Sequence, residues 1–267
     1  MENLDQYKNF AEKFVKEAGI IIREGFFKNL KRDWKEDDSI VTEYDIKINT
    51  MLVEQVQALF PDHAINGEES GYVGAPDAPY VWYCDPIDGT KSFSMTVPLI
   101  TCILSLVYKD EPILGIIYDP ILERIIIAEK GKGVLYNSST CITSPHHQIK
   151  NSYVAFSVNM KYKWVDMLDV CRKFQKENVQ FTYVHIGMAG LLLGSGNIDA
   201  IVLPFFKDYE YYALKIIFDE GCFVTTNLHG EPITDVSNPK QGLVVAQPQL
   251  HKEIMKVIIP HTVHLKL

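Results

Sequence analysis

Apolar residues recur at spacings of three and four through Leu4, Tyr7, Ala11, Phe14, Ala18 and Ile21, the period of an amphipathic helix with one face to a core. A charged stretch follows, Lys28 to Ser39, whose signs alternate, so a solvated loop is expected. Helical periodicity resumes from about Tyr44 to Leu59. Segments near 80–85, 99–108, 112–118 and 123–129 are rich in β-branched and aromatic residues. Breaks at Lys109-Asp110-Glu111-Pro112 and Asp119-Pro120 make them a meander of strands. A polar segment, Asn137 to Asn151, marks a domain boundary. Beyond it, strand patterns at Tyr153–Ser157, Phe181–His185, Ile198–Leu203 and Cys222–Thr226 alternate with helix patterns at Trp164–Phe174, Met188–Leu193 and 208–221. Such alternation predicts an α/β half on a mixed sheet. The expected class is α/β, with an α+β half at 1–142 and an α/β half at 143–267.

Composition narrows the function. At 267 residues and 47% apolar content the chain can bury a substantial core. A net charge of −8 gives no basic footprint for nucleic acid, and a cation-loaded site would partly offset it. No apolar run reaches the length of a membrane span, and the N-terminus has no signal-like apolar region, so no membrane partner is expected. The five cysteines, Cys84, Cys102, Cys141, Cys171 and Cys222, are odd in number, scattered and mostly in apolar segments. They read as structural thiols of a reducing cytoplasm.

The chemistry concentrates in Asp85-Pro86-Ile87-Asp88-Gly89-Thr90, directly after the strand-like Tyr80-Val81-Trp82-Tyr83-Cys84. Pro86 has no N–H and ends regular pairing, while Gly89 permits a tight turn. Carboxylates this close repel unless a cation sits between them, and hard divalent ions prefer such oxygen ligands. The N–H groups of Gly89 and Thr90 can cradle an anion beside the metal. A solvated Asp-Pro/Asp-Gly turn is the plain alternative. Two further acidic segments precede this one: Thr42 to Asp45, and Glu68-Glu69 within Ile65-Asn66-Gly67-Glu68-Glu69-Ser70-Gly71. Singly, each fits an N-cap or a solvated loop, and Asp45 fits the cap of the helix that follows it. Together they are the set of acidic loops that a multi-metal phosphatase needs.

Two other segments invite a ligand and decline it. Lys130-Gly131-Lys132-Gly133 lacks the Walker spacing and follows a meander strand, so it reads as a hairpin turn. Pro145-His146-His147 has no third zinc ligand at usable spacing and reads as a surface loop.

The acidic segments carry a resemblance. The T-x-x-D, G-E-E-S and D-P-I-D-G-T runs stand in the order and spacing of the inositol monophosphatase family of Mg²⁺-dependent, lithium-sensitive phosphatases. The chain resembles that family over nearly its whole length, and Phe60-Pro61-Asp62-His63 through Phe93 resembles the branch with histidinol-phosphate phosphatases. The resemblance implies a layered αβαβα sandwich, a homodimer, and a small phosphorylated metabolite as substrate. It implies two or three Mg²⁺ ions, one held by Glu68, Asp85 and the Ile87 carbonyl, another by Asp85 and Asp88. Asp45 and Thr90, with Glu68 near, would orient and deprotonate the attacking water. Asp88 would border the phosphate, and the Gly89 and Thr90 N–H groups would hold its oxygens. The charged 28–39 loop would lie near the site and could carry a ligand of a third metal.

Two departures bear on that reading. The family's late aromatic-Asp-x-small-small motif appears here as Phe206-Lys207-Asp208-Tyr209-Glu210-Tyr211-Tyr212-Ala213. Matching aromatic-acid-x-x-Ala points to Glu210, residue chemistry to Asp208, and counting back from Gly221 to Tyr209. Glu210 is preferred, with Asp208 as the other candidate. Either acid also suits a helix N-terminus through the dipole. In members that hydrolyse inositol phosphates, a Glu lies four residues after an Asp-Ala pair; here Leu203 follows Asp199-Ala200. The substrate loop Gly-Thr-Ala becomes Gly187-Met188-Ala189. Inositol 1-phosphate is therefore not the expected preferred substrate. A family member without strong catalysis, acting through contacts with transcription machinery, is the alternative of another class.

Overall fold

The computed structural model describes residues 4–261, apart from 29, 31, 37–38, 142–145 and 158–165. The first half runs α1 (Leu4–Phe26), β1 (Asp33–Trp34), β2 (Ile40–Val41), α2 (Glu43–Leu59), β3 (Ala64–Gly67), β4 (Gly71–Val73), β5 (Tyr80–Asp88), α3 (Thr90–Ser94), β6 (Thr101–Tyr108), β7 (Glu111–Asp119), β8 (Arg124–Glu129), β9 (Gly133–Tyr136) and β10 (Ser139–Thr140). The second half runs β11 (Tyr153–Phe156), α4 (Met167–Lys176), β12 (Gln180–Thr182), α5 (Ile186–Gly194), β13 (Ala200–Leu203), α6 (Asp208–Glu220), β14 (Val224–Thr226), β15 (Leu243–Ala246) and α7 (Pro248–Ile258).

Strands β3–β10 form one eight-stranded sheet, ordered β10-β9-β8-β7-β6-β5-β3-β4. Its pairings are antiparallel except β3 on β5. The second sheet, β12-β11-β13-β15-β14, is mixed: β11 runs parallel to β12 and β13, and β15 antiparallel to both of its neighbours. Side chains alternate across a strand, and this sorts the core into layers. Cys102, Leu104 and Leu106 of β6 pack with the apolar face of α1 and with Ile48 and Leu52 of α2. Ile103 and Val107 of the same strand face the other way, onto α5 and α6, which also pack on Ile201, Leu203, Leu243 and Val245 of the second sheet. The outer face of that sheet, Val154, Phe156, Val202, Val244 and Ala246, is covered by α4 and α7. Helix pair, sheet, helix pair, sheet, helix pair is the αβαβα sandwich that the family resemblance implies.

Most differences from the sequence pattern are at element ends. Strand pairing near 181 stops at Thr182 because the chain turns to let His185 precede α5. Cys222 takes a positive φ of 59° at the end of α6, so the following strand begins at Val224. The helix expected at Trp164–Phe174 runs Met167–Lys176; Trp164, and the proposed boundary at 142/143, lie outside the described residues. The Lys130–Gly133 stretch is the β8–β9 turn, and Glu220 of α6 accepts the Gly131 and Gly133 N–H groups at 2.7 and 2.8 Å. Cys84 and Cys102 are buried in the layer against α1 and α2, and burial pushes the Cys84 thiol up, as suits a structural role. Among the described residues no helix is long and apolar enough to cross a membrane.

Candidate active site

Strand β5 delivers the acids through an irregularity. Regular pairing on β6 runs from Tyr80↔Tyr108 to Asp85↔Ile103 and then shifts register before Asp88↔Thr101. Three steps on β5 thus face two on β6, with Pro86, which has no N–H to pair, inside the bulge. In an unbroken strand residues 85 and 88 would point to opposite faces. The bulge instead turns both carboxylates to one place, where Glu210 from the first turn of α6 joins them. One ligand oxygen from each of Asp85, Asp88 and Glu210 lies within 4.8 Å of the others.

Each of these acids has an oxygen tied to the scaffold. Asp88 Oδ2 accepts the Thr101 hydroxyl and the Gly187 N–H, both at 2.9 Å. Asp85 Oδ1 accepts the Ile87 N–H at 3.1 Å. Glu210 Oε2 accepts the Lys207 N–H at 2.6 Å, completing the N-terminus of α6. Two glycines make room: Gly89 has φ of 92° and a Cβ there would meet His185 Cδ2 at 2.7 Å, while a Cβ on Gly187 would meet Asp88 Oδ2 at 2.8 Å.

Asp45 joins the site from α2. Its Oδ2 accepts the Thr42 N–H at 2.8 Å and the Thr42 hydroxyl at 2.5 Å, a capping box. Its Oδ1 accepts the Thr90 hydroxyl at 3.2 Å, and the same hydroxyl lies 3.0 Å from the Ile87 carbonyl. One proton cannot serve both acceptors at full strength, so Thr90 Oγ1 is a switchable donor between them. Glu68 is reached by Lys35, whose Nζ lies 2.9 Å from Glu68 Oε1 and 2.6 Å from Glu69 Oε1. The charged loop, expected as solvated, therefore touches the acidic segments at this residue. Burial works against the Lys35 ammonium, but the two glutamates outweigh it and raise its pKa.

The electrostatics of the metal-free acids share one cause. Burial lifts the Asp45 carboxyl to about 7, against the Thr42 hydrogen bonds that stabilise its anion. Burial, then the charges of Glu68, Asp88 and Glu210, hold Asp85 well above the usual carboxylate range. Asp88 and Glu210 are raised in the same way, with His185, Thr101 and Gly187 partly relieving Asp88. Buried carboxylates that raise one another in this manner fit a divalent cation, which would restore their ionised forms.

The remaining expected residues are placed as follows. Asp208 lies outside the three-acid cluster: its Oδ2 accepts Asn66 Nδ2 and its Oδ1 the Tyr209 N–H, both at 2.9 Å. Of the 187–189 segment, Gly187 borders Asp88, whereas Met188 and Ala189 are buried in the core between the sheets. Thr101, Lys35 and His185 were missed by sequence reasoning. His185 Nε2 lies 2.9 Å from Ser92 Oγ beside the acids. Their only signal is cross-strand or loop contact, which a linear motif does not encode.

The structure is thus a layered α/β sandwich in which three acids gather where a bulged strand meets a helix N-terminus. The family model described as "Inositol monophosphatase family" matches residues 3–265, and the chain belongs to that family. It is 31% identical over 229 residues to the bifunctional phosphatase IMPL2 of Arabidopsis thaliana, covering 85% of this chain and 66% of that one. With the inositol-1-monophosphatase of Bacillus subtilis it shares 24% identity over 264 residues, 96% of this chain and 97% of the relative. The chain thus spans less than two thirds of the plant relatives that it matches, and nearly all of the Bacillus one. Its fold matches that of the Thermotoga maritima IMPase with a TM-score of 0.85 at 21% identity, over 95% of this chain and 96% of the other.

Proposed function

We propose that this chain is a Mg²⁺-dependent phosphomonoesterase acting on a small phosphorylated metabolite. The convergence of Asp85, Asp88 and Glu210 beside the Asp45–Thr90 pair carries the proposal. Glu68, Asp85 and the Ile87 carbonyl would hold one ion, and Asp85, Asp88 and Glu210 a second. Bound there, divalent cations supply charge neutralisation for the phosphoryl group, acidify the attacking water and steady the leaving alkoxide.

The chain's own residues do the rest. Thr90 and Asp45 orient the water, and Asp45, lifted by burial to about 7 in the metal-free protein, is a carboxylate able to take a proton near neutral pH. The Gly89 and Thr90 N–H groups precede the first intrahelical bond of α3, from Phe93 N–H to the Gly89 carbonyl, and would hold phosphate oxygens. Gly187 holds Asp88 in place, so the 187–189 segment would act through its main chain. Asp208, bound to Asn66, ties α6 to β3 rather than supplying a ligand. The protein is taken to be a cytoplasmic homodimer of the family type.

Similar proteins support both the substrate class and a rival. One solved relative in fold is described as a dual specific IMPase/NADP phosphatase bound with D-inositol-1-phosphate. Another relative in sequence is the Nus factor SuhB of Pasteurella multocida, which favours a regulator acting on transcription machinery as the second reading. The buried acid cluster has no use in a pure scaffold and favours catalysis.

The test is phosphate release from histidinol phosphate, inositol 1-phosphate, a 3′-phosphoadenosine nucleotide and fructose 1,6-bisphosphate, with and without Mg²⁺. Metal-dependent turnover of at least one is expected. Negligible rates on all four, with co-purification of RNA polymerase, would instead support the regulator.

A further inference from the structure

The turn that carries Asp88 and Thr90 runs into α3, a helix of 5 residues, Thr90–Ser94. So short a helix does not hold its own place, and tertiary contacts must set it. One side of it packs inward: Phe93, 1% exposed, lies against Phe26 and Tyr44 with ring centroids 6.4 and 5.7 Å away. The other side carries Ser92, buried although polar, and its Oγ lies 2.9 Å from His185 Nε2. His185 belongs to the second half of the chain and stands immediately before α5.

The contacts around His185 form one staple. Its ring lies so close over Gly89 that a Cβ there would meet His185 Cδ2 at 2.7 Å. Its carbonyl accepts the Ala189 N–H at 2.9 Å and so opens α5. Two residues on, the Gly187 N–H donates to Asp88 Oδ2 at 2.9 Å. The 185–187 segment therefore meets the turn at Asp88, Gly89 and Ser92, whereas Asp45 meets it from α2 at Thr90. Asp45 and His185 thus grip one short helix from two separate elements. The bond that closes its first turn, from Phe93 N–H to the Gly89 carbonyl at 2.9 Å, reports on whether the grip holds.

We propose that His185 is a positioning residue: through Ser92 it fixes α3, and with it the Thr90 hydroxyl, against Asp45. The effect on turnover rests on the phosphatase reading of the site; the grip on α3 does not. Removing the imidazole leaves the buried Ser92 Oγ without this partner and lets α3 shift. A misplacement of about 1 Å in a group that orients a reactant can cost about 10²-fold in rate. The loss falls on kcat, because Thr90 orients the attacking water rather than the substrate.

The test compares the wild type with Ser92→Ala, His185→Ala, the double variant and His185→Gln, whose terminal amide can reach the place of Nε2. In Mg²⁺, with the ester that turns over fastest, each alanine variant should lose about tenfold in kcat with KM within about threefold. The double variant should lose no more than either single one, since both remove the same bond. His185→Gln should stay within about threefold of the wild type. The second measurement is hydrogen exchange of the Phe93 amide by NMR in the metal-free protein, which needs no turnover. Exchange should quicken about tenfold in both alanine variants, no further in the double variant, and stay near wild type in His185→Gln. Ser92→Ala, which deletes a single buried atom, carries the contrast if His185→Ala does not fold. Losses that multiply in the double variant, equal losses in the glutamine and alanine variants, or unchanged Phe93 exchange each overturn the proposal. Absence of turnover in the wild type, with the exchange pattern as expected, removes the phosphatase reading and leaves the grip of His185 on α3 standing.

Discussion

Thr90 Oγ1 donates to Asp45 Oδ1 across 3.2 Å, and this bond joins the first turn of α2 to the turn that ends β5. Asp45 holds Thr42 through its other oxygen, so the carboxylate that completes a helix cap also faces the site. Thr90→Ala removes the hydroxyl without touching the cap. It should lower kcat by roughly 10²–10³-fold while the melting temperature shifts by only a few degrees. Thr90→Ser should keep most of the activity. Equal loss in the serine and alanine variants would show that the hydroxyl is not what matters.

Glu210 and Asp208 separate by function. Glu210→Gln should weaken Mg²⁺ binding at least about tenfold by calorimetry, because it removes a charge from the three-acid cluster. Asp208→Asn should change Mg²⁺ affinity by less than about threefold. It should destabilise the fold by about 1 kcal/mol through its bond to Asn66. Reversal of the two affinities would move the metal to Asp208.

That contrast shows where sequence legibility ends. The D-P-I-D-G-T run stands out because strand, acids and turn are contiguous, and the α/β character of the second half follows from alternating elements, whereas the αβαβα layering comes only with the family resemblance. The register of 208–210 does not follow from spacing, since Asp208, Tyr209 and Glu210 each satisfy one count. Helix phase decides it: Glu210 at the third position turns back to Lys207 N–H and so points into the cluster. The elements beyond 226 do not stand out in the sequence pattern, although β15 lies inside the second sheet and α7 covers it. Leu243–Ala246 is a four-residue apolar run without alternation, and such runs are ambiguous until a sheet surrounds them. Lys35 and Thr101 reach the acids through tertiary contact alone.

Metal-free stability should fall as pH rises through neutrality. Asp45 titrates near 7 when folded against an ordinary value of 3.8, so the folded state binds a proton that the unfolded chain has released. Its contribution is full below about pH 4 and lost as pH climbs through 7. Asp85, Asp88 and Glu210 act in the same direction. Mg²⁺ binding must expel these protons, so the rise in melting temperature on adding Mg²⁺ should be larger at pH 8 than at pH 6. A rise independent of pH, measured by calorimetry with and without chelator, would contradict this electrostatic picture.

His251 sets the opposite limb. It is buried on α7, its Nε2 lies 2.9 Å from Thr226 Oγ1, and burial pulls its pKa down to about 4. Below its ordinary value of 6.5 the unfolded chain takes up a proton that the folded one refuses, so stability drops as pH falls from 6.5 towards 4. His251→Gln keeps a partner for Thr226 without titrating, and should flatten that part of the curve in chemical denaturation. An unchanged slope would assign the acid sensitivity elsewhere.

The Asp85–Asp88–Glu210 cluster is proposed to make this chain a Mg²⁺-dependent phosphatase. Its most direct test is the rate of phosphate release as Mg²⁺ is raised, for the wild-type protein and Asp88→Asn side by side. The wild-type rate should rise from background and saturate, while the variant should stay at least about 10²-fold lower at every Mg²⁺ concentration with its circular dichroism unchanged. Turnover in the chelated wild type, or full activity in Asp88→Asn, would contradict the account.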